Sequence, residues 1–297
     1  MIHPNFKEYL PSYYFSTINP HAAYPKLEGR LKTETCVIGG GLTGLCSALP
    51  LAENGREVTV LEAARIGFGA SGRSGGQVIS DYACGMEEIE KQVGLEQARW
   101  FWQQSLQAVE LVDERVKKHQ IACDWQRGYA TVAIRPQHWE ELQQWHEHAQ
   151  KHYNATHYEL WDKDTLKQQL NSDMYLGAQF DPHSGHLHPL NYTLGVARAA
   201  AEAGAQIFEQ SPMTRIEPYQ GGWLVHTPDG SIECQNLVYA VNTYAGLHQK
   251  FKPLEKKAIA VSTFIIATEP LGERAKELIR NNMAVCDNRH VLDYYRL

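Results

Sequence analysis

The stretch Thr33 to Ala63, TETCVIGGGLTGLCSALPLAENGREVTVLEA, decides the fold. Cys36, Val37 and Ile38 form a short apolar run ended by glycines, the pattern of a strand buried on both faces. Leu45, Ala48, Leu49 and Ala52 then recur at helical spacing, Asn54-Gly55 stops the helix, and Val58 to Leu61 gives a second apolar strand. Gly39, Gly41 and Gly44 complete a GxGxxG between the first strand and the helix, and Glu62 follows the second strand 18 residues after the third glycine. The first glycine permits a tight turn, the second lets a pyrophosphate approach the backbone, and the third lets helix and strand pack closely. The helix start around Leu42 and Thr43 offers N–H groups to phosphate, and Glu62, beside Ala63, can accept from a ribose hydroxyl pair. A dinucleotide-binding βαβ unit is expected; the motif by itself does not separate FAD from NAD.

Downstream, EAARIGFGASGRSGGQV places Gly67, Gly69, Gly72, Gly75 and Gly76 around Ser71, Arg73, Ser74 and Gln77. Such a loop suits close backbone approach to a flat or anionic group, with Ser71 and Arg73 as donors. A flexible linker is the bland alternative, and the Arg and Gln set among the glycines weigh against it.

The rest of the chain bounds the function. With 297 residues, 43% hydrophobic and 21% charged, it can bury a large core, in two interleaved domains. The net charge of −6 and pI near 6.2 exclude a basic surface for nucleic acid or anionic membrane. No segment reads as a signal peptide or a membrane span, and six scattered cysteines without a CxxC pair read as reduced thiols of a cytoplasmic protein. Met86 to His119 reads as helical, with Phe101, Ser105, Val109, Val112 and Val116 along one face; GYATVAI (128–134) reads as a strand, and a helix follows to about His152. Asp181 to Pro189 reads as a turn-rich bridge, Pro189 to Gly204 as a helix, Pro228-Asp229-Gly230 as a hairpin turn, Leu237 to Val241 as a separate buried strand and Glu273 to Arg280 as a helix.

GGGLTGL, LEAARIGFGASGRSGGQ, SGHLHPLNY and LDYYRL together resemble the D-amino acid oxidase superfamily, and within it the bacterial gamma-glutamylputrescine oxidases. The resemblance implies FAD as cofactor, with the pyrophosphate on Gly39, Gly41 and Gly44, the adenosine ribose on Glu62, and Ser71, Gly72, Arg73, Gly75, Gly76 and Gln77 beside the flavin. It also implies that Met213, in SPMTRI, contacts adenine through its backbone. YAVNTYAG resembles the second conserved strand and turn near the cofactor, although Asn242 and Thr243 stand where many relatives carry a glycine-containing turn. The fold implied is α/β: a Rossmann-like FAD-binding domain (33–85 and 189–250, after a lead at 1–32) interleaved with an α+β substrate domain on a mixed or antiparallel sheet (86–188 and 251–297). The activity implied is oxidation of a small-molecule amine with dioxygen as acceptor. Relatives continue past LDYYRL, so a fragment of a longer enzyme, or a truncated flavoprotein without activity, is a further expectation. A dehydrogenase using another acceptor, on an amine, sarcosine or a D-amino acid, is the alternative enzyme.

Other features carry less. His183, His186 and His188 lie close in sequence, but no Cys or carboxylate completes a metal set, and no metal is expected. His188 borders the substrate region or caps the Pro189 helix. HExxH starting at His146 fails at Gln150, and Trp139 and Trp145 read as packing residues. Alternation sends Tyr294 and Arg296 to one face of a strand and Tyr295 to the other, so Tyr294 is a candidate for the amine pocket. No catalytic acid or base is assigned, and the oligomeric state is not read.

Overall fold

The computed structural model describes residues 8–247, 257, 259, 261 and 263–297; the remaining parts of the expected segments 1–32, 189–250 and 251–297 lie outside the described residues. The chain forms two compact units. Of the described residues, the first unit takes those through Ser74, His119–Cys123 and Pro189–Ile265, and the second takes Gly75–Lys118, Asp124–His188 and Ile266–Leu297.

Elements are numbered in chain order. The first unit carries strands β1 (Gly29–Ile38), β2 (Val58–Leu61), β7 (Gln206–Phe208), β8 (Arg215–Tyr219), β9 (Gly222–His226) and β10 (Gly230–Tyr239), with helices α1 (Tyr13–Ser16), α2 (Leu42–Glu53) and α7 (Pro189–Glu202). They make one six-stranded sheet in the order β7-β2-β1-β10-β9-β8. Neighbours from β7 to β10 run parallel, and β9 and β8 continue as an antiparallel meander. Every residue of β2 is buried, as a central parallel strand requires. Helices α2 and α7 pack together, and Leu27, Cys36, Ile38, Leu61, Ile216, Val225 and Ile232 form an apolar core. Each fully buried aliphatic side chain of this kind contributes about 1.5–3 kcal/mol.

The second unit carries β3 (Gln77–Val78), β4 (Gln126–Ala133), β5 (Glu159–Asp162), β6 (Gly177–His186), β11 (Ala284–Asp287) and β12 (Tyr294–Tyr295), with α3 (Met86–Val93), α4 (Leu95–Lys118), α5 (Pro136–Tyr153), α6 (Lys163–Gln169) and α8 (Arg274–Leu278). Its sheet runs β12-β11-β4-β6-β3, with β5 also on β6, and only β4 and β11 are parallel. The mixed, mostly antiparallel sheet agrees with the expected α+β architecture.

Five local expectations are corrected. The 86–119 helix is two helices, because Gly94 adopts φ 79° between them. The buried face of α4 runs through Ala98, Trp102, Ser105, Val109 and Asp113, so Phe101, Val112 and Val116 flank it. Asp113 is tolerated there because its carboxylate accepts from Trp125 Nε1 at 2.8 Å and pairs with Arg127 and Lys117. The supposed bridge at Asp181–Pro189 is largely strand β6, where Asp181 accepts from the Ser80 hydroxyl at 3.0 Å and from His183 N at 2.8 Å. Its register on β4 shifts between Arg127 and Tyr129, where residues 182–184 bulge opposite Gly128, which takes φ 113°. Finally, the hairpin at 228–230 is present, but its second strand continues without a break to Tyr239 and is only half-buried over Leu237–Tyr239; the last helix shortens to Arg274–Leu278.

Candidate functional site

The turn after β1 is built by glycines for two different reasons. At Gly39 (φ 111°) an added Cβ would lie 2.3 Å from the Ala240 carbonyl oxygen, and at Gly44 it would lie 1.9 Å from that of Gly39. Backbone packing alone fixes both. Gly41 is different: its φ of −90° suits any residue, and the nearest atom to an added Cβ is Ser71 Oγ at 2.8 Å. Gly41 heads α2 with no capping side chain of its own. Ser71 Oγ accepts from Leu42 N at 2.9 Å, and the Thr43 and Gly44 N–H groups have no acceptor among the described residues. A helix start with open N–H donors and a side-chain-free approach is an anion cradle.

Beside the turn, Glu62 Oε2 accepts from Gly40 N at 2.7 Å and Oε1 from Ala64 N at 2.8 Å. Burial raises the pKa of this carboxyl, those two donors oppose the shift, and the nearby Glu209 adds to it. A carboxylate offers about four acceptor directions, so capacity remains for a pair of hydroxyls. Ala63 is exposed, and Met213 is half-buried against the core that holds Cys36 and Leu61. Asn242 takes φ 50°, the left-handed region that glycine or asparagine fills, so the departure from a glycine turn keeps the backbone shape.

Sequence reasoning missed Glu209. Its carboxylate is 2% exposed. It accepts from Ile66 N at 2.7 Å, Tyr24 N at 3.1 Å and Arg65 Nη1 at 3.0 Å. Because Gly67 N in turn donates to Gly40 O at 3.0 Å, Glu209 anchors the segment that braces the glycine turn. Nothing local in FEQSPM signals this.

The second glycine block divides. Ser71, Gly72 and Arg73 belong to the first unit, where Ser71 joins the α2 start, Gly72 packs on the Gly67 carbonyl, and the exposed Arg73 donates to Gly69 O at 3.2 Å. Gly75, Gly76 and Gln77 belong to the second unit. There Gly76 O accepts from Leu187 N at 2.8 Å, Gln77 pairs with His186 in the sheet, and its amide donates to Val285 O at 3.3 Å. Tyr294 and Arg296 both reach Gly75, while Tyr295 turns the other way to bond the Tyr175 hydroxyl at 2.9 Å, as the alternation required. His188 is 4% exposed, and burial lowers its pKa. Gln150, the residue that breaks HExxH, bonds His146 Nε2 at 2.9 Å.

A family model described as DAO, FAD dependent oxidoreductase, matches residues 34–297. The chain belongs to this family. FAD is therefore its cofactor, and the open α2 start and the Glu62 carboxylate are groups chemically able to hold a dinucleotide. Among curated proteins, the chain is 44% identical to the probable oxidoreductase OrdL of Haemophilus influenzae, over 100% of this chain and 70% of that one. It is 38% identical to the gamma-glutamylputrescine oxidoreductase of Escherichia coli, over 98% of this chain and 68% of that one. Among solved structures, L-proline dehydrogenase from P. horikoshii superposes with a TM-score of 0.66 at 22% identity, covering 90% of this chain and 67% of that one, which shows the DAO fold. The chain thus spans roughly two thirds of the length of these DAO proteins. None of the six cysteines forms a disulfide, and no helix among the described residues is long and apolar enough to cross a membrane.

Proposed function

We propose that this DAO-family chain oxidises the C–N bond of an amine, gamma-glutamylputrescine or a related polyamine derivative, with dioxygen as acceptor. The observation that carries the cofactor assignment is the α2 start behind Gly41, whose Thr43 and Gly44 N–H groups are open beside Ser71 and Glu62. The substrate class is supported by the 38% identity to the gamma-glutamylputrescine oxidoreductase. We assign the pyrophosphate to the N–H groups from Gly41 to Gly44, the ribose to Glu62, the adenine edge to the Met213 backbone, and the flavin end to the loop from Ser71 to Gln77. On the substrate side we assign Tyr294, which is partly exposed, with the buried His188 as a supporting residue. FAD, when bound, supplies the hydride acceptor and returns the electron pair to dioxygen as hydrogen peroxide. The residues bind and orient, so that the amine, in its neutral form, loses a hydride from the neighbouring carbon and a proton from nitrogen; water then converts the imine to aldehyde and ammonia. With no disulfide among its six cysteines, the protein is assigned to the cytoplasm.

The test is dioxygen uptake and peroxide release by the FAD-loaded chain with gamma-glutamylputrescine, beside sarcosine and a D-amino acid. Peroxide and ammonia in equal amounts are expected from the first amine. Turnover only with a quinone or dye acceptor would make the protein a dehydrogenase, and no turnover of any amine by a flavin-loaded chain would overturn the assignment.

The pH dependence has a definite sign. Glu62 serves the ribose as a carboxylate, and its pKa in the folded chain is raised. FAD affinity should therefore weaken as pH falls through that raised pKa, starting at a higher pH than an exposed glutamate would give. For the apo fold the sign is opposite: a raised pKa contributes stability below the unfolded value that is lost as pH rises through the folded one. FAD titrations across the acid range check the first, and Glu62→Gln should flatten the dependence; a wild-type profile as flat as the variant's contradicts it.

A further inference from the structure

We infer that β12 latches the glycine loop of the second unit, with Arg296 as a positioning residue that holds the Gly75–Gly76 segment and Tyr294 as the surface it rests on. A run of glycines has more conformations to lose than any other sequence, so a loop used for close approach needs contacts that select one of them.

The contacts come from distant parts of the chain. Arg296 Nε donates to Gly75 O at 2.8 Å across 221 residues of sequence. Hydrogen bonds from a charged donor are the stronger kind, and guanidinium geometry is rigid. Tyr294 lies so close that a Cβ at Gly75 would fall 2.4 Å from its Cε2, so any larger residue would displace the ring. Gly76 takes φ 72°.

Arg296 is itself held. Its Nη1 donates to Leu297 O at 3.0 Å and lies 3.5 Å from His186 Nδ1. His186 Nε2 bonds the Asn282 carbonyl at 2.7 Å and must be the donor there, which leaves Nδ1 a lone pair facing the guanidinium. Burial disfavours the charged form of this imidazole, and Arg296 adds to that, keeping the arrangement attractive at neutral pH. Strand β12 is fixed beneath by its pairing with Val285 and Cys286 and by the Tyr295–Tyr175 hydroxyl contact. The same Val285 receives the Gln77 amide on its carbonyl, so β11 and β12 grip both ends of the 75–77 segment.

The role of this latch toward the flavin rests on the cofactor assignment above. The test uses Arg296→Ala and Arg296→Lys in the full chain, read by amide hydrogen exchange of 75–78 without cofactor, and by FAD affinity and the shape of the flavin absorption band. Losing one charge-assisted bond should speed exchange in that segment roughly tenfold while β4 and β6 stay protected, weaken FAD roughly tenfold and alter the band; lysine, which can reach the same carbonyl with one donor, should restore part of each. Unchanged exchange at 75–78 in Arg296→Ala would overturn the latch. Faster exchange with unchanged FAD affinity and band shape would instead contradict the placement of this loop at the flavin.

Discussion

Glu209→Ala is expected to lower the stability of the first unit by about 3–5 kcal/mol, the cost of removing one member of a buried, hydrogen-bonded charge pair. The carboxylate is buried, and three donors converge on it: Ile66 N, Tyr24 N and Arg65 Nη1. Alanine leaves all three without that acceptor; Arg65 keeps its exposed pairing with Glu8 at 2.9 Å, which is worth little, and the two backbone N–H groups have nothing in its place. Because Gly67 N bonds Gly40 O, loosening the Ile66–Gly67 segment also loosens the glycine turn, so FAD binding should weaken along with the fold. Glu209→Gln, which keeps one acceptor oxygen, should lose less than half as much. The check is the denaturant midpoint of the first unit's transition with the slope held constant. A midpoint for Glu209→Ala within error of the wild type would show that the carboxylate anchors nothing.

Gly41→Val should separate cofactor binding from folding. The position has φ −90°, so a valine meets no backbone strain. Its Cβ would press on Ser71 Oγ, a side-chain atom that can rotate away. The cost falls on the site: Ser71 would give up its bond to Leu42 N, and the branched side chain would occupy the space through which a phosphate approaches the α2 start. FAD affinity should drop roughly 10- to 100-fold, the loss of a phosphate hydrogen bond worth about 1.5–3 kcal/mol. Without FAD the fold should lose only what the Ser71 cap contributes, about 1 kcal/mol. A valine variant that binds FAD as the wild type does would remove the phosphate from this turn.

The contrast between these two positions shows what local sequence can disclose. The glycine turn was legible because strand, turn, helix and acid follow one another within Thr33–Ala63, and each has its own local signature. Glu209 was not, because its main partner Ile66 lies 143 residues earlier and a lone glutamate among polar neighbours looks like surface. Arg296 and Gly75 are more distant still. Strand β6 was misread for a related reason: Asp181, Pro182, His183 and Ser184 have turn propensity, and they are held between paired residues on either side by the Asp181 carboxylate, which accepts from Ser80, His183 N and Ser184. The resemblance carried FAD and the fold, while nothing in the sequence signalled that the Ser71 hydroxyl also accepts from Leu42 N at the helix start.

The most direct test of the central claim is the visible absorption spectrum of the purified chain after incubation with FAD and removal of the excess, taken beside Gly41→Val. The cradle at α2 with Glu62 and Ser71 predicts a retained flavin band in the wild type and its loss in the variant, with both proteins folded by circular dichroism. A folded wild-type chain that retains no flavin would contradict it.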